Sequence, residues 1–326
     1  MSMRLVAGHL TNLLAVLGAA TVGCSQSESM PEAIPVSEGY AVTPDSVRLW
    51  YRVVGSGPDV VIVPNALFHR ERLDTLASAT RRIVLYDPRG RGRSDSIPPA
   101  SASLEHNVAD VEVIRQAVNA DSVSLIGWSG MGMELFVYAL RHPTRVRRLV
   151  QLAPVAPRWV PYSDSLGRSR AARTDSAAWA QLQARERAGE FANDQAGLCR
   201  ARNLVTNPAS FGDTSVARLA PDVCDSPNEW PNRIGAYFGA LLGSMGQFDW
   251  RRDLPRVTIP RLVIHGERDN TPLAGNCEWV TGQPNARMFI VREAGHWPHY
   301  ERPAATIPAI RAFLDGAWPE GTGGCT

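Results

Sequence analysis

The stretch Leu125-Ile126-Gly127-Trp128-Ser129-Gly130-Met131-Gly132 decides the fold. The run before it, Ser122-Val123-Ser124-Leu125-Ile126, is short and carries β-branched residues, as a buried strand does. The run after it, Met133-Glu134-Leu135-Phe136-Val137-Tyr138-Ala139-Leu140, is apolar at helical spacing and stops short of Pro143. Strand, tight turn and helix therefore follow one another, with Ser129 at the apex. A serine held in such a strained turn projects its hydroxyl from the sheet edge, above the N-terminus of the next helix. Small residues are needed where the strand and helix backbones cross, and Gly127 supplies one. On the other side the pattern departs from G-x-S-x-G, because Met131 takes the place before Gly132. An ordinary Gly-Ser turn is the competing reading of these residues alone.

Around this stretch, elements alternate. Strands are predicted over 47–54, 59–63, 82–86, 146–152, 261–265 and 286–291, and helices over 70–79, 104–119 and 306–314. Ser103 is a fitting N-cap for the second helix, which places Val108, Val111, Ile114 and Val118 on one face. Strands alternating with helices imply an α/β fold with a mainly parallel sheet covered on both faces. The segment 157–255 breaks the rhythm. It is polar and helical in pattern, and reads as a cap inserted over the C-terminal edge of the sheet, where open α/β sheets bind ligands. The expected organisation is a core over 39–156 and 256–316, the cap over 157–255, and a tail over 317–326.

The 326 residues can bury a sizeable core, and the net charge of +2 gives no reason to expect nucleic acid as a partner. All 34 basic residues are arginine. Without lysine there is no Ser-Lys dyad, no Schiff base and no P-loop lysine. No metal-ligand spacing such as C-x-x-C or H-E-x-x-H occurs, and no cofactor is implied.

The N-terminus reads as a targeting segment. Arg4 is followed by an apolar stretch from Leu10 to Ala20, too short and interrupted to span a membrane, and then by Thr21-Val22-Gly23-Cys24. This resembles a bacterial lipoprotein signal over 1–23, with Cys24 as the lipidated first residue of the mature chain. Plain secretion is the alternative. Residues 24–38, rich in Ser, Glu and Pro, read as a flexible tether. The expected location is the periplasmic side of a bacterial envelope, with the membrane as a partner through the lipid. Cys199, Cys224, Cys277 and Cys325 then lie in an oxidising compartment. The pairing favoured is Cys199–Cys224 within the insertion and Cys277–Cys325 in the C-terminal part, against unpaired buried thiols.

A serine nucleophile needs a base and an orienting acid. His296, in Ala294-Gly295-His296-Trp297-Pro298, follows the last strand directly, and His299 is its rival. His265 lies inside an apolar strand, and His69 sits where it can line a pocket. Asp269 follows the penultimate strand, with Glu267 the lesser choice. The order Ser129, Asp269, His296 suits a triad on such a sheet.

With these residues in place, the chain resembles the α/β-hydrolase-fold serine hydrolases, in the cap-bearing group that includes proline iminopeptidase-like peptidases. Asp87-Pro88-Arg89-Gly90-Arg91-Gly92-Arg93-Ser94 is similar to that family's D-x-R-G-x-G-x-S segment. The resemblance implies Ser129 as nucleophile, Asp269 as acid and His296 as base. It also implies an oxyanion hole from the N–H of Gly130 and a second N–H after the third strand, from Ala66 or Leu67. There the family's His-Gly is replaced by Pro64-Asn65, so the loop must turn without glycine, or the Asn65 amide must donate instead. A lost donor would cost about 10²–10³ in rate. The pocket is expected near Asn65, Leu67, Trp128, Met131 and Trp297. Small esters or short peptides with a free N-terminus are the expected substrates. The latter would need a cap carboxylate for the ammonium, from Glu186, Glu190, Asp194 or Glu229. A non-catalytic or weakly catalytic ligand-binding lipoprotein is the reading from outside the enzymes.

Overall fold

The computed structural model describes residues 34–325. The leader-like segment and Cys24 lie outside them. Among the described residues there are eight strands: β1 (Val36–Val42), β2 (Arg48–Val54), β3 (Asp59–Pro64), β4 (Arg81–Tyr86), β5 (Val123–Trp128), β6 (Val146–Leu152), β7 (Arg261–Gly266) and β8 (Ala286–Val291). They form one sheet in the order β1-β2-β4-β3-β5-β6-β7-β8. From β4 to β8 every pairing is parallel, and only β1–β2 and β2–β4 are antiparallel.

The helices are α1 (Ala66–Leu73), α2 (Leu104–Ala117), α3 (Gly130–Arg141), α4 (Tyr162–Arg173), α5 (Ser176–Arg187), α6 (Gln195–Thr206), α7 (Pro231–Met245), α8 (Leu273–Cys277), α9 (Pro298–Glu301) and α10 (Pro303–Leu314). Strand pleating sorts the core into two layers. Val60 and Ile62 of β3 pack with α2 and α3, through Val108, Ile114 and Phe136. Val61 and Val63 face the other way, toward Leu73 of α1 and Ile310 and Phe313 of α10. Both faces of β3 are thus dry, which is why its sequence runs apolar without alternation. Each such fully buried valine or isoleucine contributes about 1.5–3 kcal/mol.

The sequence prediction misplaces some elements. The tether does not reach residue 38, because β1 begins at Val36. This strand is mostly exposed and contains Gly39, so it lacks the alternation that marks a half-buried strand. It pairs with β2 along its whole length, Val36 opposite Val54 and Val42 opposite Arg48. The first helix starts at Ala66 rather than 70 and gives way to a short 3₁₀ turn at Asp74–Leu76. It follows β3 with only Asn65 between, and Asn65 takes the left-handed conformation, φ 61° and ψ 52°.

Between β6 and β7 lie α4 to α7. No residue of α4 is buried, whereas α6 buries Leu198 and Cys199. Disulfides join Cys199 to Cys224 and Cys277 to Cys325. The second ties the C-terminal residues to α8, and an antiparallel bridge between Met288 and Gly323 ties them to β8. Among the described residues no helix is long and apolar enough to cross a membrane.

Candidate active site

Ser129 joins β5 to α3 with φ 56° and ψ −126°, a conformation that L-residues rarely adopt. The turn is tight because two backbones nearly touch. A Cβ on Gly127 would lie 2.7 Å from Met131 O and 2.8 Å from Gly132 Cα. Gly132 is close-packed too, 3.1 Å from Gly127 O, whereas a Cβ on Gly130 would meet nothing. The glycines that matter sterically are therefore 127 and 132, and Met131 between them lines the cavity.

Asp269 follows β7 and His296 follows β8, at the same end of the sheet as Ser129. His296 Nδ1 lies 3.0 Å from Asp269 Oδ1 and 3.2 Å from Oδ2. The Asp269 side chain is fully buried. Burial pushes its carboxyl up, but the charge and hydrogen bond of His296, with His265 and the Thr271 N–H, outweigh that and hold it below the ordinary value. Thr271 N–H donates to Asp269 Oδ1 at 2.8 Å. His265 lies 4.0 Å from Asp269; burial depresses its ring against the pull of the Asp269 charge, and the Asn276 amide approaches its Nδ1 at 2.9 Å.

The loop bearing His296 is held from both sides. Its N–H donates to Ser210 O at 2.8 Å, and its carbonyl accepts from Trp128 Nε1–H at 2.7 Å. Glu301 adds a carboxylate clamp. Oε1 accepts the Gly295 N–H at 2.8 Å, and Oε2 accepts the Gly212 N–H at 2.7 Å. Gly295 is required for this closeness, since a Cβ there would lie 2.4 Å from Gly212 N.

Other candidates fall elsewhere. His299 is fully buried and shares a 3.1 Å contact with His69 Nδ1, and burial depresses both rings. Neither lines the cavity that Ser129 and His296 share. Glu267 is exposed and accepts the Glu293 N–H.

Ser129, Gly130 and His296 line one cavity of about 610 Å³, roofed by the segment between β6 and β7. Asn65, Trp128, Met131 and Trp297 also line it, with the two indole rings 4.2 Å apart. Leu67 does not. It packs instead against the Cys199–Cys224 cluster, and its N–H is spent on Asp87 Oδ1 at 3.1 Å. That leaves Gly130 N–H and Ala66 N–H, both in first helical turns where no helical carbonyl can engage them. Asn65 supplies the left-handed turn otherwise expected of glycine, a conformation asparagine tolerates.

The Asp87–Ser94 segment is a folded turn. Asp87 accepts from Leu67 and Arg93 N–H, Arg89 is paired with Asp110, and Arg91 with Glu229. Arg91 and Glu229 are both buried and meet through two 2.9 Å bonds. Arg91 Nη1 has no hydrogen-bond partner, but Phe238, Tyr237 and Phe68 rings surround the guanidinium at 5.0–5.7 Å. Sequence reasoning missed Thr271, Glu301, Glu134 and the Arg91–Glu229 pair. The signal available for Glu134 was a lone acid in an apolar helical run. Among the described residues no group of three or more His, Cys, Asp or Glu side chains is set to hold a metal ion.

A relative from Cupriavidus pinatubonensis, a 2-hydroxy-6-oxononadienedioate/2-hydroxy-6-oxononatrienedioate hydrolase, is 28% identical over 264 residues, covering 80% of this chain and 84% of that one. A proline iminopeptidase from Heyndrickxia coagulans is 23% identical over 252 residues, 72% of this chain and 82% of its own. Among solved structures, an esterase from Exiguobacterium antarcticum superposes with a TM-score of 0.64 at 16% identity, over 86% of this chain and all of that one, a likeness of fold. The family model for the alpha/beta hydrolase fold matches residues 65–303, and the chain belongs to that family.

Proposed function

We propose that this hydrolase cleaves carboxylic esters through an acyl-enzyme, with Ser129 as nucleophile, His296 as base and Asp269 as the orienting acid. The observation that carries the reading is the 3.0 Å bond from Asp269 to His296 beside the strained Ser129, in one shared cavity. Ser129 Oγ attacks the acyl carbonyl while His296 takes its proton. The alkoxide leaves with that proton, water attacks the acyl-enzyme with His296 again as base, and the acid departs. The N–H groups of Gly130 and Ala66 are the proposed oxyanion donors.

The ester is favoured over an N-terminal peptide by the state of the cap carboxylates. Glu186 is paired with Arg202 at 2.7 Å, and Glu190 with Arg185. Asp194 caps α6 through the Gly197 N–H. Only Glu229 of the four lines the cavity, and Arg91 already neutralises it. None is free to hold an ammonium. A second reading, a 2-hydroxy-6-oxo-dienedioate substrate, rests on the name of the Cupriavidus relative. The leader-like segment and two disulfides support an envelope location, with a lipid on Cys24 as the proposed anchor.

The test is a panel of p-nitrophenyl esters, aminoacyl p-nitroanilides and a 2-hydroxy-6-oxo-dienedioate, with a fluorophosphonate probe. Esters are expected to turn over and the probe to attach at Ser129. Ser129→Ala is expected to abolish labelling and lower kcat by roughly 10⁴–10⁶. No labelling and no turnover would mark a ligand-binding protein instead.

A further inference from the structure

Glu134 lies on α3, the helix that Ser129 caps, and its side chain lines the same cavity while remaining only 3% exposed. Oε2 accepts the Asn107 Nδ2–H at 3.0 Å, and Asn107 in turn lies 3.3 Å from Tyr237 Oη. That is the carboxyl's one hydrogen bond among the described residues. Oε1 has none, yet it is not among the atoms sealed from solvent. A buried acceptor open only to a cavity is an incomplete site, because an unpaired polar group is costly away from water.

The surroundings select the partner. Arg91, whose charge acts on Glu134, makes two hydrogen bonds to Glu229 and is ringed by Phe68, Tyr237 and Phe238. A substrate ammonium would have to shed its water beside that cation, against walls formed by Met133, Ile234 and Leu241. A substrate carboxylate would face the Glu134 oxygens. Burial pushes Glu134 up to about 7, so near neutral pH part of the population is ionised, and in that form Oε1 is an acceptor with no protein donor among the described residues. We propose that the Glu134 carboxyl is a recognition group for a neutral O–H or N–H donor on the substrate, so that hydroxyl- or amide-bearing esters are preferred over plain hydrocarbon ones. For turnover this rests on the ester reading, but binding tests it separately.

In a Ser129→Ala protein, the fluorescence of Trp128 and Trp297 on the cavity wall reports binding of intact esters. Methyl 6-hydroxyhexanoate and methyl 6-acetamidohexanoate represent the two neutral donors, with methyl hexanoate as reference and methyl 6-aminohexanoate as the cation. At least one neutral donor is expected to bind about tenfold more tightly than the reference. Adding Glu134→Leu is expected to bring that ratio near one, and so is Glu134→Gln, whose single oxygen stays on the Asn107 N–H and whose NH2 then faces the cavity. Equal binding of donor and reference esters overturns the proposal, and that comparison needs no change at Glu134. A preference that survives in folded Glu134→Leu overturns it, as does a Glu134-dependent preference for the amino ester. Failure of the ester reading shows up apart from this, as absent turnover of p-nitrophenyl esters by the unaltered protein.

Discussion

The indole N–H of Trp128 donates to the carbonyl oxygen of His296 at 2.7 Å. The residue before the proposed nucleophile therefore grips the backbone of the proposed base across the sheet edge. This bond joins the Ser210 and Glu301 contacts in holding the His296 loop. Trp128→Phe keeps the ring and removes the donor. With about 1 kcal/mol lost and the His296 loop freer, kcat is expected to fall roughly tenfold with KM little changed. Steady-state kinetics on one soluble ester checks this. An unchanged kcat means that the Ser210 and Glu301 contacts suffice to place the loop.

Asp269 is the acid that touches His296, and Glu267 instead accepts the Glu293 N–H. Asp269→Asn is expected to fold normally and lose about 10⁴ in kcat, because the amide stabilises the wrong imidazole tautomer. Glu267→Gln is expected to stay within a factor of a few. A reversal of those two effects would reassign the acid.

Much of this was legible before any coordinates. The strand–Ser129–helix order can be read because buried strands and amphipathic helices leave different periods in sequence. Asp269 and His296 can be read because each follows a strand at one sheet edge. β1 was not legible, since an exposed edge strand has no apolar face to reveal it. Glu301 was not legible either. Its work is to bind the backbone N–H of Gly295 and Gly212, and nothing in a residue's type announces that. The fate of Leu67 turned on Asp87, which took the N–H that a sequence alone leaves free.

The Arg91–Glu229 pair is buried on both sides. Glu229→Gln removes the only counter-charge hydrogen-bonded to the guanidinium among the described residues. Such a change typically costs about 3–5 kcal/mol, so a large fall in the denaturation midpoint is expected. The chemical step is expected to suffer less, since Glu229 is assigned no substrate charge. A selective loss of aminoacyl-nitroanilide hydrolysis at unchanged stability would instead make Glu229 an ammonium site.

Cys24→Ser is expected to release the protein from membranes without altering ester hydrolysis, because the proposed anchor and the chemistry lie on separate segments. Stable anchoring requires more than one acyl chain, which a bacterial lipoprotein cysteine carries. Mass spectrometry of the mature N-terminus reads the outcome directly. An unmodified start at or after Cys24 would mean simple secretion.

Glu134 makes stability depend on pH. Burial raises its carboxyl from 4.5 to about 7 in the folded chain, against the Asn107 bond and the Arg91 charge. Between those values the folded state holds a proton that the unfolded state has released. Folding stability therefore falls as pH rises from about 4.5 to about 7, and above that the penalty is complete. At 1.36 kcal/mol per unit the shift amounts to about 3 kcal/mol. Glu134→Gln removes the ionisation while keeping the shape and one acceptor. Relative to the unaltered chain, the variant is expected to gain stability as pH rises from 5 to about 7 and to level off above that, at the order of that figure. Urea denaturation of both proteins across the range measures it. A difference that does not change with pH would mean that Glu134 ionises in the folded chain as it does in water.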